Sequence, residues 1–118
     1  MLVKKILLID DEPKITRAFQ DMFAFETDYQ INIANDGAQG LQLIQTKHPD
    51  FVVLDWRLNS EIEGKDVLRF LKEKHPEIPV FVVTASVHYL KEIEAFKPNA
   101  TYLKPCPDLK EKILSILS

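Results

Sequence analysis

The 118-residue chain is 46% hydrophobic and 28% charged with a formal net charge of −3, the profile of a single globular domain spanning residues 1–118, with no nucleic-acid-binding surface indicated. Its apolar runs of about four residues fall far short of the ~20 that a membrane span needs, and "MLVKKILLIDD" carries no signal-peptide pattern. The one cysteine, Cys106, can form no internal disulfide, which fits a cytoplasmic setting.

The first predicted strand is "ILLI" (6–9), which runs straight into Asp10, Asp11, Glu12 and Pro13. Ile15, Ala18, Phe19, Met22 and Phe23 then follow the i, i+3, i+4, i+7, i+8 spacing of an amphipathic helix. "YQINIA" (29–34) reads as a second strand, followed by a helix over 38–47 that is capped by Asn35 or Asp36 and stops before Pro49. "FVVL" (51–54) is the third strand and Lys65 to Lys74 the third helix, with Val67, Phe70 and Leu71 at helical spacing. "VFVV" (80–83) leads into a short fourth helix over 86–96, and "TYL" (101–103) into a fifth over 107–117. Three of the strands are continuously apolar, as expected when helices cover both faces of a parallel sheet. Five βα units in succession imply an α/β fold with a doubly wound parallel sheet.

In such sheets ligands bind outside the carboxyl ends of the strands, where strand order reverses. Those ends carry Asp10 and Asp11, Asp55, Thr84 and Lys104. Converging carboxylates cannot all stay ionised without a counter-charge, and an all-oxygen donor set suits a hard cation such as Mg²⁺. A cation, a lysine and a hydroxyl together describe a pocket for a phosphoryl group, with the Asp55 carboxylate as its nucleophilic acceptor.

"LLIDDEP", "FVVLDW", "VFVVTAS" and "YLKP", in this order, resemble the receiver domain of bacterial two-component response regulators, over essentially the whole chain. The resemblance implies a (βα)5 flavodoxin-like fold that accepts a phosphoryl group from a sensor histidine kinase or phosphotransfer protein and changes a protein-binding face, without turning over as an enzyme. It implies Asp55 as phosphorylation site, Asp11 and Asp55 as direct Mg²⁺ ligands, Asp10 acting through water, and the backbone carbonyl of Arg57 completing the set. Thr84 and Lys104 would contact the phosphoryl oxygens, and Arg57 and Ser86 would bear on phosphoryl lifetime. It also allows a homodimer through the fourth and fifth helices, with neither nucleic acid nor membrane as a direct partner.

The chain departs from the family pattern in three places. The loop "DWRLNSEIEG" after the acceptor lacks the usual Met-Pro and is about one residue longer than usual. The stretch between Thr84 and Lys104 is shorter than usual, with "FKPNA" in place of Gly-Ala. The aromatic switch residue of the family stands three positions before the lysine, where this chain has Thr101. Either the strand register brings Tyr102 into that role or the switch is altered, and Tyr102 is the assignment.

Each residue also has an ordinary role: Asp11, Glu12 and Pro13 make a good helix start, Asp55 a turn and Thr84 a strand residue. His48 and His75 suit helix C-terminal ends, Cys106 a small packed position, and Trp56 either shapes the pocket or covers it. The joint occurrence at strand ends favours the functional reading. A phosphatase using an aspartyl-phosphate would need a second Asp where Arg57 stands, and a flavin carrier would need a Ser/Thr/Gly-rich loop where the acids stand. The remaining alternative is a non-phosphorylated interaction adaptor with the same fold.

Overall fold

The computed structural model describes residues 2–117. In chain order it comprises β1 (Lys4–Ile9), α1 (Pro13–Met22), β2 (Tyr29–Ala34), α2 (Gly37–Lys47), β3 (Phe51–Asp55), α3 (Gly64–Lys74), β4 (Val80–Thr84), a 3-10 turn (Val87–Tyr89), α4 (Leu90–Ala95), β5 (Ala100–Leu103) and α5 (Leu109–Leu117). The strands form one sheet in the order β2-β1-β3-β4-β5, and every pairing is parallel. This is the doubly wound α/β architecture expected of the sequence. No helix among the described residues is long and apolar enough to cross a membrane.

Side chains alternate across a strand, so each apolar run supplies two cores at once. Ile6, Leu8, Phe51, Val53, Phe81 and Val83 pack with Phe19 and Phe23 around α1 and with Leu109 and Ile113 of α5. Leu7, Ile9, Val52, Leu54, Val80 and Val82 face the other way, onto Ile44 of α2, Val67, Leu68 and Leu71 of α3 and Ile93 of α4. Both faces of β3, of β4 and of β1 from Ile6 onward are therefore dry, which is why these stretches contain no polar residue until their carboxyl ends. Strand order reverses between β1 and β3, so the crevice at the carboxyl edge opens beside Asp10 and Asp55.

Helix starts follow local chemistry. Pro13 takes the first turn of α1, and the Asp36 side chain caps α2 by accepting from the Gln39 amide at 2.8 Å. His48 and His75 are the C-cap residues of α2 and α3, as their sequence positions indicated. Glu63 and Asp66 form a capping box at α3. A Cβ at Gly64 would stand 2.6 Å from the Trp56 carbonyl oxygen and 2.7 Å from that of Asp55. Only glycine lets α3 approach the end of β3 this closely.

Two helices are shorter than the sequence pattern indicated. The expected 86–96 helix opens as a 3-10 turn because the Ser86 hydroxyl accepts from the His88 amide and the Ser86 carbonyl from that of Tyr89. It ends at Ala95, with Lys97 left-handed at φ 56° before Pro98. The fifth helix begins at Leu109, since Pro107 and Asp108 belong to the preceding turn.

Candidate functional site

The carboxyl ends of β1, β3 and β5 bring four acids and one lysine together. Asp10 is fully buried and Asp55 is 5% exposed. Lys104 Nζ lies 2.9 Å from Asp10 Oδ2, 3.2 Å from Asp55 Oδ2 and 3.6 Å from Glu12 Oε1. Asp10, Asp55 and Lys104 occupy equivalent parity on their strands, each two residues beyond a side chain of the α1/α5 core, so the sheet's own alternation aims all three at one point. The remaining oxygen of Asp10 accepts from the Glu12 amide at 2.9 Å. Asp11 does not cap α1; its Oδ2 accepts from Asn59 Nδ2 at 3.2 Å, across the crevice.

Electrostatics at this point are strained by design of the chain's topology. Burial, then the charge of Asp10, push the Asp55 carboxyl up to about 7, with Lys104 pulling the other way. Burial alone would lower the Lys104 ammonium. The hydrogen bond to Asp10 and the charges of Asp55 and Asp10 outweigh it and hold the group above the ordinary lysine range. One cation is thus shared by more carboxylates than it can neutralise. Asp10, Asp11, Glu12 and Asp55 each offer a ligand oxygen within 4.8 Å of the others. An all-oxygen set with surplus negative charge, held by a rigid sheet edge, could bind a hard divalent cation.

Thr84 reaches the same crevice from the opposite parity of β4. It is buried, and its hydroxyl accepts from the Ser86 amide at 3.3 Å. A cavity of about 150 Å³ at the carboxyl edge is lined by Asp11, Asp55, Arg57, Thr84, Tyr89 and Lys104, among others. Tyr102 is not brought there. It pairs in register with Val83, and its ring packs edge-on against Phe81 with centroids 5.2 Å apart, on the α1/α5 face. The register does not shift, so Thr101 keeps the position facing α4 and Tyr102 the position facing away from it. Trp56 also leaves the crevice: it is 2% exposed and packs against Phe96 on the α3/α4 face. Cys106 is half-buried against the α1/α5 core, and burial together with Asp108 raises its thiol, consistent with a packing role.

The model of the response regulator receiver domain family matches residues 6–113. The chain belongs to that family. A receiver domain protein described as CheY-like, from Methanospirillum hungatei JF-1, superposes with a TM-score of 0.87 at 27% identity, covering 98% of this chain and 94% of that one. A second, the response regulator TrrA of Thermotoga maritima in complex with Mg(2+)-BeF, gives 0.86 at 27% identity over 97% of this chain and 99% of the other. Among curated proteins, the response regulator MprA of Mycobacterium sp. (strain KMS) is 28% identical over 111 residues, 94% of this receiver but 47% of that protein. The chain spans about half the length of MprA, or less of other curated relatives.

Three residues around the receiver's crevice were not legible from the sequence. Asn59 bonds Asp11 from a left-handed backbone at φ 53°. Glu63 anchors the β3–α3 loop by accepting from the Leu58 amide at 2.6 Å and approaching Arg57 Nε at 3.7 Å. Tyr89 accepts a hydrogen bond from Arg57 Nη1. Asparagine's tolerance of the left-handed region was the one available signal; the others depend on loop paths.

Proposed function

We propose that this receiver is a phosphoacceptor switch, taking a phosphoryl group onto Asp55 from the phosphohistidine of a sensor kinase or phosphotransfer protein. The observation that carries the reading is the placement of Lys104 between two buried carboxylates that it cannot fully neutralise, beside the Thr84 hydroxyl. A carboxylate oxygen of Asp55 attacks phosphorus, the bond from phosphorus to the imidazole nitrogen breaks, and the electron pair leaves with the imidazole. Lys104 offers a positive charge to the equatorial oxygens, and Thr84 a hydroxyl proton. Asp10, Asp11, Asp55 and the Arg57 carbonyl are the proposed holders of Mg²⁺, which when bound supplies charge neutralisation at those oxygens.

Because Asp55 tends to keep its proton in the metal-free protein, cation binding and proton release belong together. A phosphoryl dianion then competes for Lys104, and the β4–α4 and β5 segments that touch it adjust, which is how a charge at one edge alters a protein-binding face. In this reading the protein acts on its own acceptor and works with its partners in the cytoplasm.

Intact mass after incubation with acetyl phosphate, with and without Mg²⁺, tests this on the wild type and on Asp55→Asn. A Mg²⁺-dependent gain of one phosphoryl group in the wild type alone is expected. No gain under any condition would favour an adaptor that retains the fold, and a gain that survives Asp55→Asn would move the acceptor elsewhere.

A further inference from the structure

On the α1/α5 side of the sheet, next to the acidic crevice, lies a second cavity of about 210 Å³. Leu8, Val53 and Val83 of the sheet line it and are all buried; Leu8 and Val53 stand two residues before Asp10 and Asp55, on the same faces of their strands. Phe19 and Met22 of α1 and Leu109 of α5 line it as well. Lys104 borders both this cavity and the acidic one. Two polar side chains therefore touch the space, Lys104 and Cys106, and both have their polar atoms engaged elsewhere. Lys104 Nζ is held by Asp10 and Asp55, which leaves its methylene stem to the cavity. Cys106 Sγ donates to Asp108 Oδ1 at 3.4 Å. Water needs about two to four polar partners to settle in such a space, and these side chains offer it none.

We propose that this cavity is a binding site for a small uncharged aromatic molecule of one ring or two fused rings. Size sets the first limit. An apolar cavity of about 150 Å³ holds benzene, so about 210 Å³ leaves room for a substituent or a second ring. The lining sets the chemistry. Phe19 offers an aromatic neighbour, and Met22 and Cys106 offer sulfur, which packs well against ring edges. A charged ligand is disfavoured, because its charge would leave water without a partner here. A carboxylate would meet Asp10 and Asp55 beyond Lys104, and an ammonium would find both acids already bonded to that lysine. An occupant would thus lie against the stem of Lys104, the residue whose ammonium serves the acidic crevice.

The test follows methyl and backbone amide resonances of the intact chain as toluene or benzothiophene is added up to its solubility limit, with benzoate and benzylammonium as charged counterparts. Saturable shifts at Leu8, Met22, Lys104 and Leu109 are expected, with dissociation constants on the order of 0.1–1 mM for the uncharged probes. The charged probes should bind at least about tenfold more weakly. Ala18 is exposed on α1 and borders the cavity. Ala18→Leu sets a branched side chain at the opening at little cost to the helix and should weaken toluene binding about tenfold or more, whereas Ala18→Ser should leave it unchanged. Thermal midpoints establish that both variants are folded. The inference is overturned by the absence of saturable shifts with both uncharged probes, by shifts centred on the Trp56–Phe96 face, by equal affinity for a charged probe, or by undiminished binding in Ala18→Leu. None of these readouts uses phosphorylation, so the result stands apart from the phosphoacceptor reading.

Discussion

Replacing Asp55 with Asn should stabilise the metal-free receiver, and should do so more strongly as pH rises. In the folded protein the Asp55 carboxyl is pushed up to about 7 by burial and by Asp10; in the unfolded chain it titrates near ~3.9. A folded-state value above the unfolded one means that the stability associated with the bound proton is complete below about pH 4 and is lost as pH rises toward 7. Each pH unit in that window is worth ~1.4 kcal/mol. Asparagine mimics the protonated acid and does not titrate, and Lys104 keeps its 2.9 Å partner Asp10 when Asp55 is gone. The stability advantage of Asp55→Asn should therefore grow by about 2–3 kcal/mol between pH 5 and pH 8, or roughly 8 °C in midpoint for a chain of this size. Urea and thermal unfolding followed by circular dichroism in EDTA at several pH values measure this directly. Saturating Mg²⁺ should shrink the gap by stabilising the wild type selectively. An advantage that stays flat or narrows with rising pH would show that Asp55 is not held protonated, and the electrostatic account of the crevice would fall with it.

Lys104→Met should destabilise the protein by about 3 kcal/mol at neutral pH, because it leaves Asp10 and Asp55 buried without their cation; part of that loss should return on acidification, and urea melts at pH 5 and 7 resolve it. Tyr102→Leu should cost about 1 kcal/mol through the lost edge-on contact with Phe81, while phosphoryl uptake by intact mass stays at the wild-type level. Impaired uptake at normal stability in that variant would return Tyr102 to the switch role that its sequence position suggested.

The sheet and both cores were legible because they rest on a short-range rule. Runs such as "FVVL" are apolar at every position only when both faces are covered, and in the structure all of Phe51 to Leu54 are fully buried. The acids and Lys104 were legible because a strand's end is easy to locate, and the parallel sheet puts all such ends along one edge. What the sequence concealed lies one residue to either side of those ends. Trp56 follows Asp55 directly, yet the two-residue period turns it to the α3/α4 face, against Phe96. Tyr102, two before Lys104, shares its parity and so faces α1 and α5 rather than Thr84 and α4. The contacts of Asn59 with Asp11 and of Arg57 with Tyr89 span 48 and 32 residues and depend on loop paths that no periodicity records.

The three departures from the family's sequence pattern meet in one place. The loop after Asp55 is long enough to carry Arg57, Asn59 and Glu63 around the crevice, with Asn59 turning through left-handed backbone to reach Asp11. The segment after Thr84 is short, and it begins with a tight 3-10 turn whose last residue, Tyr89, lies at the rim of the crevice. The β5 position that would carry an aromatic facing α4 holds Thr101, too small to fill the space beside Leu90 and Glu94, where a cavity of about 540 Å³ remains. The aromatic at the rim of the crevice is thus Tyr89 of the 3-10 turn rather than a β5 residue, and it is bonded to Arg57, a second cation beside Lys104 in the lining of that cavity. The guanidinium is committed to Tyr89 and Glu63, so the β3–α3 loop that begins at the acceptor is tied directly to the 3-10 turn that leads into α4.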